Sequence, residues 1–175
     1  MSWKSTASRY GLVAIAIHWI SAAAILALFG LGFAAANAAD PATKAALLRV
    51  HVPLGAAIVV LTLLRIVWWR FDRRPDPLPG LPSWQERSER LVRSALYALI
   101  LVMGVSGIGL MIASGAPGVL FFGEPGPLPD FWQFPPMYGH LTGAVLLLAL
   151  AVLHIAAAIY HQLYRRDRLL ARMWR

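Results

Sequence analysis

The chain has no cysteine, and charged residues make up only 14% of its 175 positions. The lack of cysteine excludes disulfides, iron–sulfur clusters, thiolate metal sites and covalently attached haem c. Any metal or cofactor must therefore be held by histidine, methionine or oxygen ligands. The low charge accompanies a hydrophobic fraction of 59%, whereas about a quarter of the residues in a soluble domain are charged. This composition indicates a membrane protein.

Four apolar runs are each long enough to cross a bilayer, which takes about 20 helical residues for about 30 Å of hydrocarbon. They cover residues 11–36, 45–69, 91–113 and 138–163. We therefore predict an all-α fold, a polytopic membrane four-helix bundle in which residues 1–175 form one domain. The first run is longer than the apolar core of a usual signal peptide and contains a histidine, so we expect it to be retained as a span.

Basic residues give the chain a net charge of +8, and their positions are uneven. All of the 16 basic residues except Lys44 and Arg49 lie near the termini or around the connection between the second and third runs. The positive-inside rule places that side in the cytoplasm, together with both termini. A nucleic-acid-binding patch is the alternative reading of the charge. The distribution along membrane connections favours contact with lipid instead, and we predict no nucleic-acid partner.

Histidine is scarce, with five in the chain, and four of them lie well inside apolar runs: His18, His51, His140 and His154. A histidine in the bilayer is costly and normally faces the bundle interior with a partner. His140 and His154 are 14 residues apart, which on a helix is about 21 Å and within about 40° of the same face. Counting from the ends of the runs places His18 at the depth of His154, and His51 at the depth of His140. The pattern predicts two stacked bis-histidine sites.

Two haem b groups would satisfy all four imidazoles, and bis-histidine iron has no open position, which suits electron transfer. A zinc or copper pathway and a metal-free polar network are the alternatives. Zinc transport would call for carboxylate ligands, and the apolar runs contain none. A haem-free structural or transport protein is the function that corresponds to these alternatives.

Three further residues are candidate cofactor contacts. Arg65 follows His51 by 14 residues, so we predict that it reaches the depth of the other pair, where a buried guanidinium needs an anion. A haem propionate is that candidate anion, and snorkelling to the membrane surface is the alternative. Arg49 is a candidate propionate contact for the other haem, or an interfacial cation. His161 lies two turns beyond His154, and is a candidate hydrogen-bonding group for a propionate or a quinone, or an interfacial residue.

The stretches around the histidines resemble the bacterial cytochrome b561 family. They read IAIHWI, LLRVHVPLG, LTLLRIVWW and YGHLTGAVLLLALAVLHIAAAIYH, and the tail HQLYRRDRLLARM is also similar. The resemblance covers essentially the whole chain. It implies an inner-membrane di-haem b protein that exchanges single electrons with the quinone pool and has no catalytic side chain. It assigns the ligand role to the same four histidines. Relatives often have histidines where this chain has Arg90 and Arg93, so any quinone or proton role there does not carry over.

The best-defined activity in that family is superoxide oxidation, with ubiquinone as electron acceptor. The resemblance therefore implies a superoxide:ubiquinone oxidoreductase. Lys44 and Arg49, the two cations on the predicted periplasmic side, are candidates for attracting the superoxide anion, or are ordinary helix-end cations. The alternative is a haem-bearing membrane-anchor subunit of a larger oxidoreductase, with a periplasmic or membrane redox partner. The sequence gives neither the oligomeric state nor the reduction potentials.

Overall fold

The computed structural model describes residues 2–77, 80, 82–167 and 169–174. In them the chain forms five α-helices, α1 (Leu12–Asn37), α2 (Pro41–Trp68), α3 (Ser83–Ser114), α4 (Ala116–Phe121) and α5 (Pro136–Tyr160). All of these except α4 are long and apolar enough to cross a membrane, with α5 extended by a π-helical turn over His161–Arg165. The described ranges contain no strand. The predicted all-α architecture with four spans is confirmed.

Helix α3 begins at Ser83, well before the apolar run that marks it in the sequence. The segment from Ser83 to Arg90 is polar and helical, so the apolar run identified only the part that crosses the membrane. At the other end, Gly115 adopts φ +66°, a left-handed conformation that favours glycine, and α4 starts at the next residue. The connection between α3 and α5 therefore begins with a short helix.

The helices pack as two pairs. Helix α1 lies along α2, and α3 lies along α5, while the two pairs touch mainly where α2 meets α3. Helices α1 and α5 make almost no direct backbone contact within the described residues. The bundle is therefore open along one side, and a slot remains between α1 and α5.

Connections at the two ends of the bundle define two regions that we name the far end and the terminal end. The far end holds the short α1–α2 connection and the long segment between α3 and α5. A small apolar core closes it, formed by Ala45, Leu110, Ala116, Leu120 and Phe131. The long segment therefore folds onto the helix ends instead of extending away from them.

The terminal end holds both chain termini and the α2–α3 connection, joined by hydrogen bonds into what we call the terminal cap (Ser5, Trp68, Asp72, Asp76, Arg172). The buried Asp72 carboxylate accepts hydrogen bonds from the Ser5 backbone N–H at 2.8 Å, the Ser5 hydroxyl at 2.7 Å and the Trp68 indole at 3.0 Å. Arg172 donates to the Asp76 carbonyl at 2.7 Å. Three distant parts of the sequence thus meet at this end of the bundle.

Candidate functional site

Two histidines face each other near the far end, and we call them the far-end pair. His51 is on α2 and His140 is on α5. Their ring centroids are 6.2 Å apart and their ring planes are inclined by 69°. No direct hydrogen bond joins the two rings in the described part of the chain, so a gap separates them.

Two other histidines face each other near the terminal end, and we call them the terminal pair. His18 on α1 and His154 on α5 have ring centroids 6.4 Å apart and ring planes inclined by 67°. This pair bridges the slot between α1 and α5, and His154 is exposed there. The structure therefore brings together the same two pairs that depth counting predicts.

The spacing within each pair leaves room for one metal ion between the rings. Two imidazoles that bind a metal from opposite sides, each through a nitrogen about 2 Å from it, have centroids about 6 Å apart. Within the described residues, no three histidine, cysteine or acidic side chains converge on a common point. Each site therefore offers two imidazoles, which suits a metal whose other ligands come from a flat macrocycle, and falls short of the three or four protein ligands that zinc takes.

A hydroxyl on α3 orients one imidazole of the far-end pair. The Ser106 Oγ lies 3.1 Å from His140 Nδ1, and it also lies 2.8 Å from the Val102 carbonyl oxygen. A carbonyl can only accept, so the Ser106 hydroxyl donates to Val102 and accepts from the N–H at His140 Nδ1. This tautomer leaves the lone pair of His140 Nε2 free to bind a metal.

Two glycines make room for the rings of the far-end pair. A Cβ at Gly32 would lie 3.2 Å from His51 Cε1, and a Cβ at Gly107 would lie 3.2 Å from His140 Cε1. His51 Nδ1 is buried and has no hydrogen-bond partner within the described residues. Sequence reasoning missed Gly32, although it follows His18 by the same 14 residues that separate His140 from His154. That spacing was the available signal.

A single arginine sits beside the terminal pair. Arg65 Nη2 is 3.4 Å from His18 Nδ1, and the guanidinium carbon is 5.6 Å from the centroid of the Tyr97 ring. Arg65 Nε is buried without a hydrogen-bond partner, and no carboxylate of the described residues is within ion-pair distance of it. A partly buried guanidinium without an anion is costly. The arrangement fits a ligand that brings its own carboxylate.

The other predicted contact residues have protein partners in the structure. Arg49 Nε donates to the Leu120 carbonyl at 2.7 Å, which ties α2 to α4. The Lys44 ammonium lies 5.8 Å from the centroid of the Phe131 ring. Both far-end cations therefore hold the α3–α5 segment against the bundle.

His161 lies in the π-helical turn after α5, where its Nδ1 is 2.5 Å from the Asp167 carboxylate. Arg90 and Arg93, on the first turns of α3, form ion pairs with Glu86 and Glu89 respectively. Within the described residues, none of these three side chains makes a hydrogen bond to the terminal pair.

Comparison with known proteins gives a consistent result. A family model described as prokaryotic cytochrome b561 matches residues 9–175. Cytochrome b561 homolog 2 of Escherichia coli (strain K12) is 29% identical, over 99% of this chain and 95% of that protein. Cytochrome b562 of Cereibacter sphaeroides is 29% identical over 95% of both chains. Cytochrome b561 homolog 1 of E. coli is 25% identical over 95% of this chain and 97% of its own length. No solved structure matches.

Proposed function

Because the chain belongs to the prokaryotic cytochrome b561 family, a family of membrane haem proteins that transfer electrons, we propose that it binds two haem b groups. The terminal pair, His18 and His154, ligates one, and the far-end pair, His51 and His140, ligates the other. The separations of 6.4 and 6.2 Å between ring centroids carry this proposal. Haem supplies one-electron redox chemistry at its iron, and two imidazoles leave that iron no open position.

Arg65 neutralises a propionate at the terminal site. A guanidinium can only donate, so its 3.4 Å contact with His18 Nδ1 requires that nitrogen to accept. If His18 bound iron through Nε2, its Nδ1 would carry the hydrogen and could no longer accept from the guanidinium. Arg65 would then turn from His18 toward a carboxylate of the haem. This movement would also give the buried Arg65 Nε a partner.

Helix α5 sets the distance between the two sites. His140 and His154 lie 14 residues apart on it, which is about 21 Å along the helix axis. One rigid helix therefore carries a ligand for each haem and separates them by most of the thickness of the hydrocarbon layer. The two sites together form a route for electrons across the bilayer.

The terminal end faces the cytoplasm of a bacterium, with the chain in the plasma membrane. The concentration of basic residues at the terminal end supports this orientation. The absence of cysteine allows a direct test. Single cysteines at Ala38, in the α1–α2 connection, and at Ser8, near the N-terminus, should differ in intact spheroplasts. A membrane-impermeant maleimide should label the Ala38→Cys variant and leave Ser8→Cys unlabelled, and the reverse result would overturn the orientation.

The specific activity that we propose is superoxide:ubiquinone oxidoreduction. Two superoxide anions are each oxidised to dioxygen, and one ubiquinone takes up the two electrons and two protons. The chain would contribute attraction of the anion and positioning of the haems, without a proton-abstracting catalytic side chain. Lys44 and Arg49 attract superoxide through their field, since both side chains are engaged with the α3–α5 segment.

The test uses the purified, haem-loaded protein supplied with an enzymatic source of superoxide and with ubiquinone. We expect ubiquinol to form at a rate proportional to the protein. Ubiquinol should fail to form with the His51→Ala variant, and superoxide dismutase should abolish it. If a co-purifying protein is required, the chain is an electron-carrying subunit of a larger oxidoreductase instead. A colourless protein without a sharp reduced α-band would overturn haem binding itself.

A further inference from the structure

A pocket of about 420 Å³ opens toward the terminal end, between the end of α2 and the part of α3 that holds Ser94 and Tyr97. Its lining consists of Ile66, Trp69, Arg70, Arg74, Ser94 and Tyr97, and the two α3 residues among them, Ser94 and Tyr97, lie in the fourth and fifth turns of that helix. The indole N–H of Trp69 donates to the Tyr97 hydroxyl at 3.3 Å, which joins the two helices across the back of the pocket. The Tyr97 ring also contacts Arg65, so this ring stands between the pocket and the terminal pair.

The pocket carries positive charge that no carboxylate of the described residues neutralises. Arg70 and Arg74 have no carboxylate within ion-pair distance among the described residues, whereas the neighbouring Arg73 pairs with Asp76 at 3.0 Å. The Arg74 guanidinium is held over the Trp69 ring, with its carbon 5.1 Å from the ring centroid. Two free guanidinium groups and the Ser94 hydroxyl can all donate to the same oxygen-rich anion.

The surface beside the pocket is apolar and faces the membrane. Leu63, one turn before Ile66 on α2, is 48% exposed, and Val105, three turns beyond Ser94 on the same face of α3, is 74% exposed. The basic rim lies where the apolar part of α2 ends, at the level of lipid headgroups. A ligand with an anionic head and long apolar chains would therefore match the pocket and the surface above it.

From this arrangement we propose that the pocket binds one anionic phospholipid through its phosphate group. Arg70 and Arg74 contact the phosphate oxygens, and the acyl chains lie along α2 and α3. Basic pockets between membrane helices on the cytoplasmic side recognise such headgroups. The proposal depends on the membrane position of the helices and not on the haem ligands.

The test compares two double variants that lose the same charge. Arg70→Gln with Arg74→Gln removes the pocket cations. Arg9→Gln with Arg87→Gln removes two exposed arginines of the terminal end that do not line the pocket. Each full-length protein is reconstituted in phosphatidylcholine containing a minor fraction of phosphatidylglycerol or cardiolipin, extracted in mild detergent, and analysed by native mass spectrometry for retained lipid.

We expect wild type and the Arg9/Arg87 variant to retain one anionic phospholipid per chain. The Arg70/Arg74 variant should bind it roughly 30-fold more weakly, since each arginine near an anionic headgroup contributes a factor of about five. All three proteins should keep the same haem spectrum and the same content of any ubiquinone that co-purifies.

Four results would overturn the proposal. Phosphatidylcholine could be retained as well as the anionic lipids, or the two double variants could lose lipid equally. Free inorganic phosphate could displace the lipid at equal concentration, which would make the pocket a site for phosphate ion. The Arg70/Arg74 variant could lose haem or ubiquinone, which would assign the pocket to one of those ligands.

Discussion

The two histidine pairs have almost the same geometry and very different surroundings. Their ring separations differ by little, at 6.2 Å in the far-end pair and 6.4 Å in the terminal pair. The far-end pair is bordered by two glycines and a serine hydroxyl, all uncharged. The terminal pair has an arginine against one ring and an open slot beside the other. The two pairs are thus alike in ring separation, and they differ in the residues that surround the rings.

This difference gives the proposed electron route a direction. A positive charge close to an iron favours the reduced form, which carries one positive charge less. If each pair binds a haem as proposed, the Arg65 charge would raise the reduction potential of the terminal haem relative to the far-end haem. Electrons that enter at the far end would then move toward the terminal end, where the potential is higher.

Replacing one of the four histidines should have the largest effect, because it empties one proposed haem site and leaves the other occupied. His51→Ala or His140→Ala should lose the far-end haem, and His18→Ala or His154→Ala should lose the terminal haem. Each purified variant should contain about half of the wild-type haem, measured as pyridine haemochrome, since each bis-histidine iron depends on both imidazoles.

Redox titration of these variants provides the control. Each should retain one of the two wild-type midpoint potentials, and variants of the same pair should retain the same one. Equal loss of both haems from all four variants, with helix content by circular dichroism unchanged, would contradict the pairing.

A larger side chain at Gly32, next to the His51 ring, should affect only the far-end pair. In Gly32→Val the new Cβ would meet the His51 ring at 3.2 Å, and the two methyl groups would press further, so the ring must move out of register with His140. Gly30→Val adds the same side chain where no heavy atom lies within 4 Å of the new Cβ. We expect Gly32→Val to lose most of the far-end haem and Gly30→Val to keep both, as read from haem content. Equal behaviour of the two valine variants would show that Gly32 has no role in the site.

Neutralising Arg65 should lower the midpoint potential of the terminal haem and leave that of the far-end haem unchanged. In Arg65→Gln the midpoint potential of the terminal haem should fall by roughly 30 to 100 mV, given one charge at partly buried distance and 59 mV per tenfold change in a one-electron equilibrium. Arg65→Lys keeps the charge and should restore most of the shift. Spectroelectrochemical titration separates the two haems, and a shift of the far-end potential by the same amount would remove the assignment of Arg65 to the terminal site.

Removing the Ser106 hydroxyl should produce a smaller change of opposite sign at the far-end site. Without an acceptor for its Nδ1–H, His140 becomes a weaker electron donor to iron, so the far-end potential should rise by about 10 to 30 mV in Ser106→Ala. Ser21→Ala is the matched control, because the Ser21 hydroxyl donates to the Ile17 carbonyl on α1 in the same way but makes no hydrogen bond to a histidine among the described residues. An equal rise of the far-end potential in both variants would contradict this role, because it would show that loss of any helix serine hydroxyl has the same effect.

The sequence was sufficient for the parts of the site that depend on periodicity. The lengths of the apolar runs predict four membrane helices. Depth counted from the ends of the runs predicts which histidines meet, and the 14-residue spacing after His51 predicts that Arg65 reaches the depth of the terminal pair. These features follow from the rise of one helix and the thickness of the bilayer. Side-chain hydrogen bonds depend instead on how separate segments pack. Asp72 binds Ser5, and Asp167 binds His161, through connections whose paths no local pattern determines.

The smallest expected effect is on the pH dependence of stability, to which the two ends contribute on opposite sides of the pH range. At the far end, the hydroxyl and the backbone N–H of Thr43 hold the pKa of the exposed Asp40, the N-cap of α2, below its ordinary 3.8. At the terminal end, burial raises the pKa of Tyr10 above its ordinary 10.0. A carboxyl group with a lowered pKa stabilises the fold at pH values above the pKa that it has in the unfolded chain. This stabilisation is lost as the pH falls through its pKa in the folded protein. A raised tyrosine pKa destabilises the fold only above pH 10, where the unfolded side chain ionises.

Asp40→Asn should therefore flatten the acid side of the profile of thermal midpoint against pH by a few degrees at most, because asparagine still caps the helix. Tyr10→Phe should flatten only the alkaline side, and a change on the same side in both variants would contradict this division between the ends.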